Sequence, residues 1–191
     1  MVNNFRDWEW KLRDAVDRIK NRYEHIGRKT GYPFLAIVYP LSLEEAVLKE
    51  WHTLLSALGP EFDVRTIDVL EVTTSVVEEL GVENIVGTIE EPMPGSNPES
   101  ELGHMWVTAV AAAIREEAAQ DGSKKIVIVL ERLAALYPAA GPRAAMQALW
   151  DSMHGSLGVP IVVLIPGTLK EARVYSFVNQ QEEFMYRGDI L

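Results

Sequence analysis

Four short apolar runs separated by segments of helical periodicity constrain this chain more than any other feature. They are Pro33–Tyr39 (PFLAIVY), Asp63–Val69 (DVRTIDV), Lys125–Leu130 (KIVIVL) and Pro160–Ile165 (PIVVLI). They are rich in Val and Ile and mostly lack strict polar alternation, the pattern of strands covered on both faces in a parallel sheet. Arg173–Val178 (RVYSFV) alternates more and suits an edge strand. Between the runs, Ser42 with Glu45 three positions later reads as a capping box, opening a helix to about Leu58 that Gly59-Pro60 closes. Leu70–Leu80 reads as a helix stopped by Gly81, Glu101–Gln120 as one with Leu102, Met105, Trp106, Ala109 and Ala113 on a face, and Pro142–Gly155 as another. Strands alternating with such helices predict βαβ units, and hence a three-layer α/β/α fold with a mostly parallel sheet of four to five strands.

Two segments stand apart from this alternation. Residues 3–26 carry Phe5, Trp8, Leu12, Ala15, Val16 and Ile19 on one helical side. Residues 1–30 are read as an N-terminal helix arm and 31–191 as a single α/β domain. The arm either packs on the sheet or docks on a partner. In the second case Trp8 and Trp10 are the candidate anchors, Trp10 because it falls off the apolar side. The other segment, Gly87–Ser100 (GTIEEPMPGSNPES), is dense in Pro, Gly, Ser and Glu and is expected to be a mobile loop.

Composition narrows the function classes. The chain has no cysteine, which excludes disulfides, Cys-based zinc or iron–sulfur sites and a thiol nucleophile. No apolar stretch approaches the roughly 18 residues of a membrane span, and the polar start, Met1 to Asp14, does not look like a signal peptide, so a cytoplasmic location is expected. With 18 basic against 28 acidic residues and a net charge of −10, direct nucleic-acid binding is disfavoured, because phosphate neutralisation drives most such binding.

A doubly wound sheet presents ligands to the carboxyl ends of its strands. After the first strand stand Tyr39-Pro40-Leu41-Ser42, with no glycine to cradle phosphate, and Gly27-Arg28-Lys29-Thr30 lacks the earlier glycine of a P-loop. Ile126–Leu130 followed by Glu131 has the form of a Walker B strand, which places the expected fold near a P-loop-like one without a Walker A loop. Asp68 and Glu71 lie one helical turn apart after the second strand and either share a site or complement a helix dipole. The histidines, His25, His52, His104 and His154, fall in four different elements without zinc-helix spacing, so no metal and no cofactor is predicted.

Several motifs in order resemble the BrxB family, small proteins of BREX phage-defence systems. They are PFLAIVYP at Pro33–Pro40, IDVLE at Ile67–Glu71, LAALYP at Leu133–Pro138, PIVVLIPG at Pro160–Gly167 and FMYR at Phe184–Arg187. The sequence departs from the family pattern after Pro138, where Ala139-Ala140-Gly141-Pro142-Arg143 follows, and at Leu164-Ile165 ahead of Pro166-Gly167. The resemblance implies a non-enzymatic adaptor of a defence complex that binds a PglZ-like protein. It carries over no catalytic residue. Tyr39, Asp68, Glu131, Tyr137 and Arg187 are the candidates for a shared pocket, with Pro40, Pro138, Pro166, Gly167 and Tyr186 beside them. Arg187 is expected to pair with Glu131 or Asp68. Two other functions stay open: an enzyme or sensor for a phosphate-containing ligand at the strand ends, and a structural homodimer.

Overall fold

Val- and Ile-rich runs without alternation need cover on both faces, and the computed structural model supplies it. It describes residues 7–23, 26, 33–120, 123–152, 158–183 and 188–191. The strands are β1 (Phe34–Tyr39), β2 (Phe62–Asp68), β3 (Lys125–Glu131), β4 (Ile161–Leu169), β5 (Val174–Phe177), β6 (Gln180–Glu183) and β7 (Asp189–Ile190). The central sheet runs β2-β3-β4-β1-β7, every neighbouring pair parallel. All of β1 is buried, as is β3 beyond its first residue.

The helices are α1 (Asp7–Arg22), α2 (Glu44–Ser56), α3 (Val69–Leu80), α4 (Val82–Glu90), α5 (Pro98–Ala119) and α6 (Pro142–Ser152). On one face of the sheet Leu12, Ala15, Val16 and Ile19 of α1 and Val47, Leu48 and Trp51 of α2 pack with Leu35, Ile37, Val127, Val129, Val162 and Leu164. On the other, α3, α5 and α6 cover Ala36, Val38, Ile128, Leu130, Val163 and Ile165. This is the expected three-layer α/β/α arrangement. Odd and even residues of each central strand serve opposite cores, which is why the runs show no alternation.

α1 therefore packs on the sheet as part of a layer. It runs antiparallel to β1. Near its start Lys11 Nζ donates to Val38 O at 3.2 Å, and beyond its end Tyr23 Oη donates to Ile126 O at 2.7 Å. Lys11 is buried despite its charge.

Three local expectations are corrected. Ser42 and Glu45 do not form a capping box: residues Leu41–Leu43 make a 3-10 turn, and α2 starts at Glu44 behind Leu43 with no side-chain cap. The segment Gly87–Ser100 is not all loop, because α4 continues to Glu90. Val82, Ile85, Val86 and Ile89 recur at helical spacing, and the dense Pro and Gly begin only at Pro92. Arg173–Val178 does not form an edge of the parallel sheet. β4 instead runs on past it, and its last residues, Gly167–Leu169, pair antiparallel with β5, which pairs with β6. A Cβ on Gly167 would lie 2.1 Å from Ser176 O, so the crossing needs glycine.

Candidate functional site

Side-chain parity brings the acidic strand ends together. Val127 and Val129 face the α1/α2 layer, so Glu131, two residues further, points the same way. Leu35 and Ile37 do the same for Tyr39 on β1. Asp68 is the direct register partner of Glu131 across the β2–β3 pair. Two carboxylates thus sit side by side where a parallel sheet would present a ligand.

Each carboxylate is met by a cationic or polar group of the chain itself. His52 Nε2, reaching down from α2, donates to both Glu131 oxygens at 2.8 and 3.0 Å. Glu131 is 5% exposed, while the His52 side chain is 55% exposed. Arg132 Nη1 donates to Asp68 Oδ2 at 2.9 Å. The other oxygen of Asp68 accepts from Leu70 N at 3.0 Å and caps α3. Arg132 adopts a left-handed conformation (φ 56°) that swings the chain off β3 into the 3-10 turn Leu133–Leu136.

Burial pushes the Glu131 carboxyl up from its ordinary range. His52 opposes that shift, Asp68 adds to it, and Arg132 weakly opposes it. The Tyr39 phenol is likewise pushed up by burial first and then by Glu44, whose Oε1 accepts its hydroxyl at 2.9 Å. A buried carboxyl against a half-exposed imidazole can exchange a proton with solvent. Both of its oxygens, however, already lie within hydrogen-bond reach of His52 Nε2.

Of the residues singled out from sequence, the structure brings together Asp68 and Glu131, with Tyr39 on the same face of the sheet. Tyr137 packs against the opposite core, among the α3/α5/α6 residues. Pro138 lies beside the β5–β6 hairpin, where Gln180 Nε2 donates to Pro138 O at 3.4 Å and Arg143 N, in the first turn of α6, donates to Glu182 at 3.2 Å. Arg187, with the rest of Phe184–Arg187, lies outside the described residues, as do His25, Gly27–Thr30 and His154. Trp8 is partly buried against the α1/α2 core, and Trp10 is 59% exposed. Sequence reading missed His52 and Arg132. The signal for His52 is its place on the helix after β1, beside core residues Leu48 and Trp51, since that helix must pack back over the strand ends. Among the described residues no three His, Asp or Glu side chains gather to hold a metal ion.

A second feature lies on the opposite layer. α4 contributes no buried residue, and Val82, Val86 and Ile89 of α4 are exposed together with Met93 and, from α5, Met105. Gly81, at φ 83°, breaks α3 from α4. A groove of about 140 Å³ runs between α4 and α5, floored by Leu80, Ile85, Ile89, Leu102 and Met105. A wider cleft of about 650 Å³ lies along α5 and α6, with Gly103, Ala111, Ala140 and Ala144 in its lining.

Fold and surface define an α/β protein of three layers, with internally paired acids at its strand ends and an uncovered apolar helix at its side. No protein-family model matches the chain, and no curated protein or solved structure does. Among the described residues no helix is long and apolar enough to cross a membrane.

Proposed function

We propose that this protein acts by binding a protein partner, as a non-enzymatic adaptor of a BREX-like phage-defence complex in the cytoplasm, with a PglZ-like protein as the partner. One observation carries the partner-binding part: α4 and the residue stretch after it expose Val82, Val86, Ile89 and Met93, apolar side chains that the protein's own core does not use. The internal pairing of Glu131 with His52 and of Asp68 with Arg132 supports the same reading, because these acids hold the chain's own groups. The defence assignment rests on the ordered BrxB-like motifs from Pro33 to Arg187.

The test is co-purification of the tagged protein with a co-expressed PglZ-like protein, read as a stoichiometric complex by light scattering. Two separate monomers in that experiment would remove the defence assignment. A second reading, a sensor of a phosphate-containing ligand, has the half-exposed His52 and Arg132 at the strand ends in its favour. A nucleotide thermal-shift series that responds in wild type and not in Glu131→Ala would establish it.

A further inference from the structure

We infer that the α4–α5 groove is the docking site for a basic amphipathic helix of a protein partner, its apolar stripe seated in the groove and its Lys and Arg on the acidic rim. This deepens the partner-binding part of the reading above and rests on it.

The charge of the chain is distributed very unevenly. Between Thr66 and Ile114 there is no Lys or Arg, and there are nine acidic residues (Asp68, Glu71, Glu78, Glu79, Glu83, Glu90, Glu91, Glu99 and Glu101). The rest of the chain holds all 18 basic residues against 19 acidic ones, the 28 less these nine. Nearly the whole net charge of −10 therefore belongs to β2's end, α3, α4 and α5. Glu79, Glu83, Glu90, Glu91 and Glu101 are all exposed around α4, and among the described residues none of them is in a salt bridge. Their field, which no ion pair among the described residues compensates, attracts a cationic partner while repelling an anionic one.

The apolar geometry fits a helix. Ile85 and Ile89 stand at i and i+4 of α4 and line the groove opposite Leu102 and Met105 of α5, while Val82 and Val86 are exposed outside its lining. The groove walls are themselves helical ladders, Leu80, Asn84 and Thr88 with Ile85 and Ile89 on one side, and Pro98, Glu101, Leu102 and Met105 on the other. A groove walled by two helices takes the apolar face of a third, which is read as anchors at i, i+3 or i+4 and i+7. Its volume of about 140 Å³ is close to the roughly 150 Å³ of an apolar cavity that admits a benzene ring, so one large apolar anchor fits. Met105, which lines the groove, adapts to the shape of such an anchor.

Charge also selects among occupants. A second copy of this chain would set the same acidic rim against itself across a two-fold axis. Nucleic acid and anionic lipid meet like charge. A nine-residue helix is marginal on its own, and α4 buries nothing, so its apolar stripe adds little to the fold of the free protein. Its cover comes from outside.

The experiment uses two labelled helical peptides of about 18 residues, one of Leu and Lys in amphipathic order and one with Glu in place of Lys. Binding to the full-length protein is followed by fluorescence anisotropy at about 50 and about 300 mM salt. The basic peptide is expected to bind, to weaken with salt, and to bind Ile89→Asp/Met105→Asp, both of which line the groove, roughly tenfold or more weakly, a loss of about 1.4 kcal/mol. The acidic peptide is expected not to bind. Because the double variant adds negative charge, a diffuse attraction would strengthen, so loss of affinity identifies the apolar seat. Leu41→Ala, in the turn before α2 and outside the groove lining, should bind as wild type and excludes a general effect of losing an exposed apolar side chain. Equal binding of the basic peptide to wild type and double variant, or equal binding of the two peptides, overturns the inference. Co-purification separates it from the adaptor reading. A PglZ-like protein retained equally by wild type and double variant sinks the groove and leaves the adaptor. Peptide binding at α4 with no PglZ-like complex sinks the defence assignment and leaves the groove.

Discussion

Replacing His52 with Ala removes the donor that engages both oxygens of a carboxylate 5% exposed. A hydrogen bond to a charged group contributes about 1.5–3 kcal/mol. The His52 side chain is 55% exposed, so water replaces part of what is lost and the expected cost falls to about 1.5 kcal/mol. For a chain of 191 residues that corresponds to roughly 3–6 °C in Tm. Glu131→Gln should act in the other direction at neutral pH. The folded protein holds the Glu131 carboxyl above its ordinary range, so the contribution of this group is fully present in acid, below the unfolded value. It is lost as pH rises through the raised folded value. Gln mimics the protonated form, so the variant matches wild type in acid and exceeds it at neutral pH. In the Gln background His52→Ala should cost little, giving a coupling of about 1–1.5 kcal/mol at pH near 7 that vanishes in acid. Urea unfolding of the four proteins at both pH values measures it. A coupling below about 0.3 kcal/mol at neutral pH would refute the argument that His52 compensates a buried carboxylate.

Other substitutions test other parts of the structure. Gly103→Ala should destabilise by about 1–3 kcal/mol, because its Cβ would lie 2.1 Å from Ala139 O where α5 meets the loop before α6; urea unfolding reads this, and an unchanged midpoint would contradict the packing. Lys11→Met keeps the buried stem and removes the bond to Val38 O, for an expected loss of about 1–2 kcal/mol by the same assay. Ile19→Ala, fully buried under α1, should cost about 2–5 kcal/mol; a much smaller effect would mean that α1 does not pack as a layer.

The layered architecture was legible because it rests on local chemistry. Runs such as KIVIVL and PIVVLI need cover on both faces, and helical periods between them supply it. The functional surface was less legible for two different reasons. In α4 the local pattern was present in Val82, Ile85, Val86 and Ile89, but Pro92, Pro94 and Gly95 close behind drew Gly87–Ser100 toward a loop reading. At the strand ends the acids Asp68 and Glu131 were readable as strand termini, whereas their partners were not, His52 being 79 residues from Glu131 and Arg132 being 64 from Asp68.

By itself the sequence determined the α/β class, the parallel strands, the absence of thiol chemistry and the lack of a Walker A loop, all properties of residue type and short-range spacing. Only the tertiary structure decided that β4 lies between β1 and β3, that of the two readings of α1 it packs on the sheet, and that His52 closes over Glu131. It also decided that the apolar stripe of α4 stays outside the core. Those outcomes depend on which distant segments share a face, and burial is a property of the assembled layers that no single segment carries.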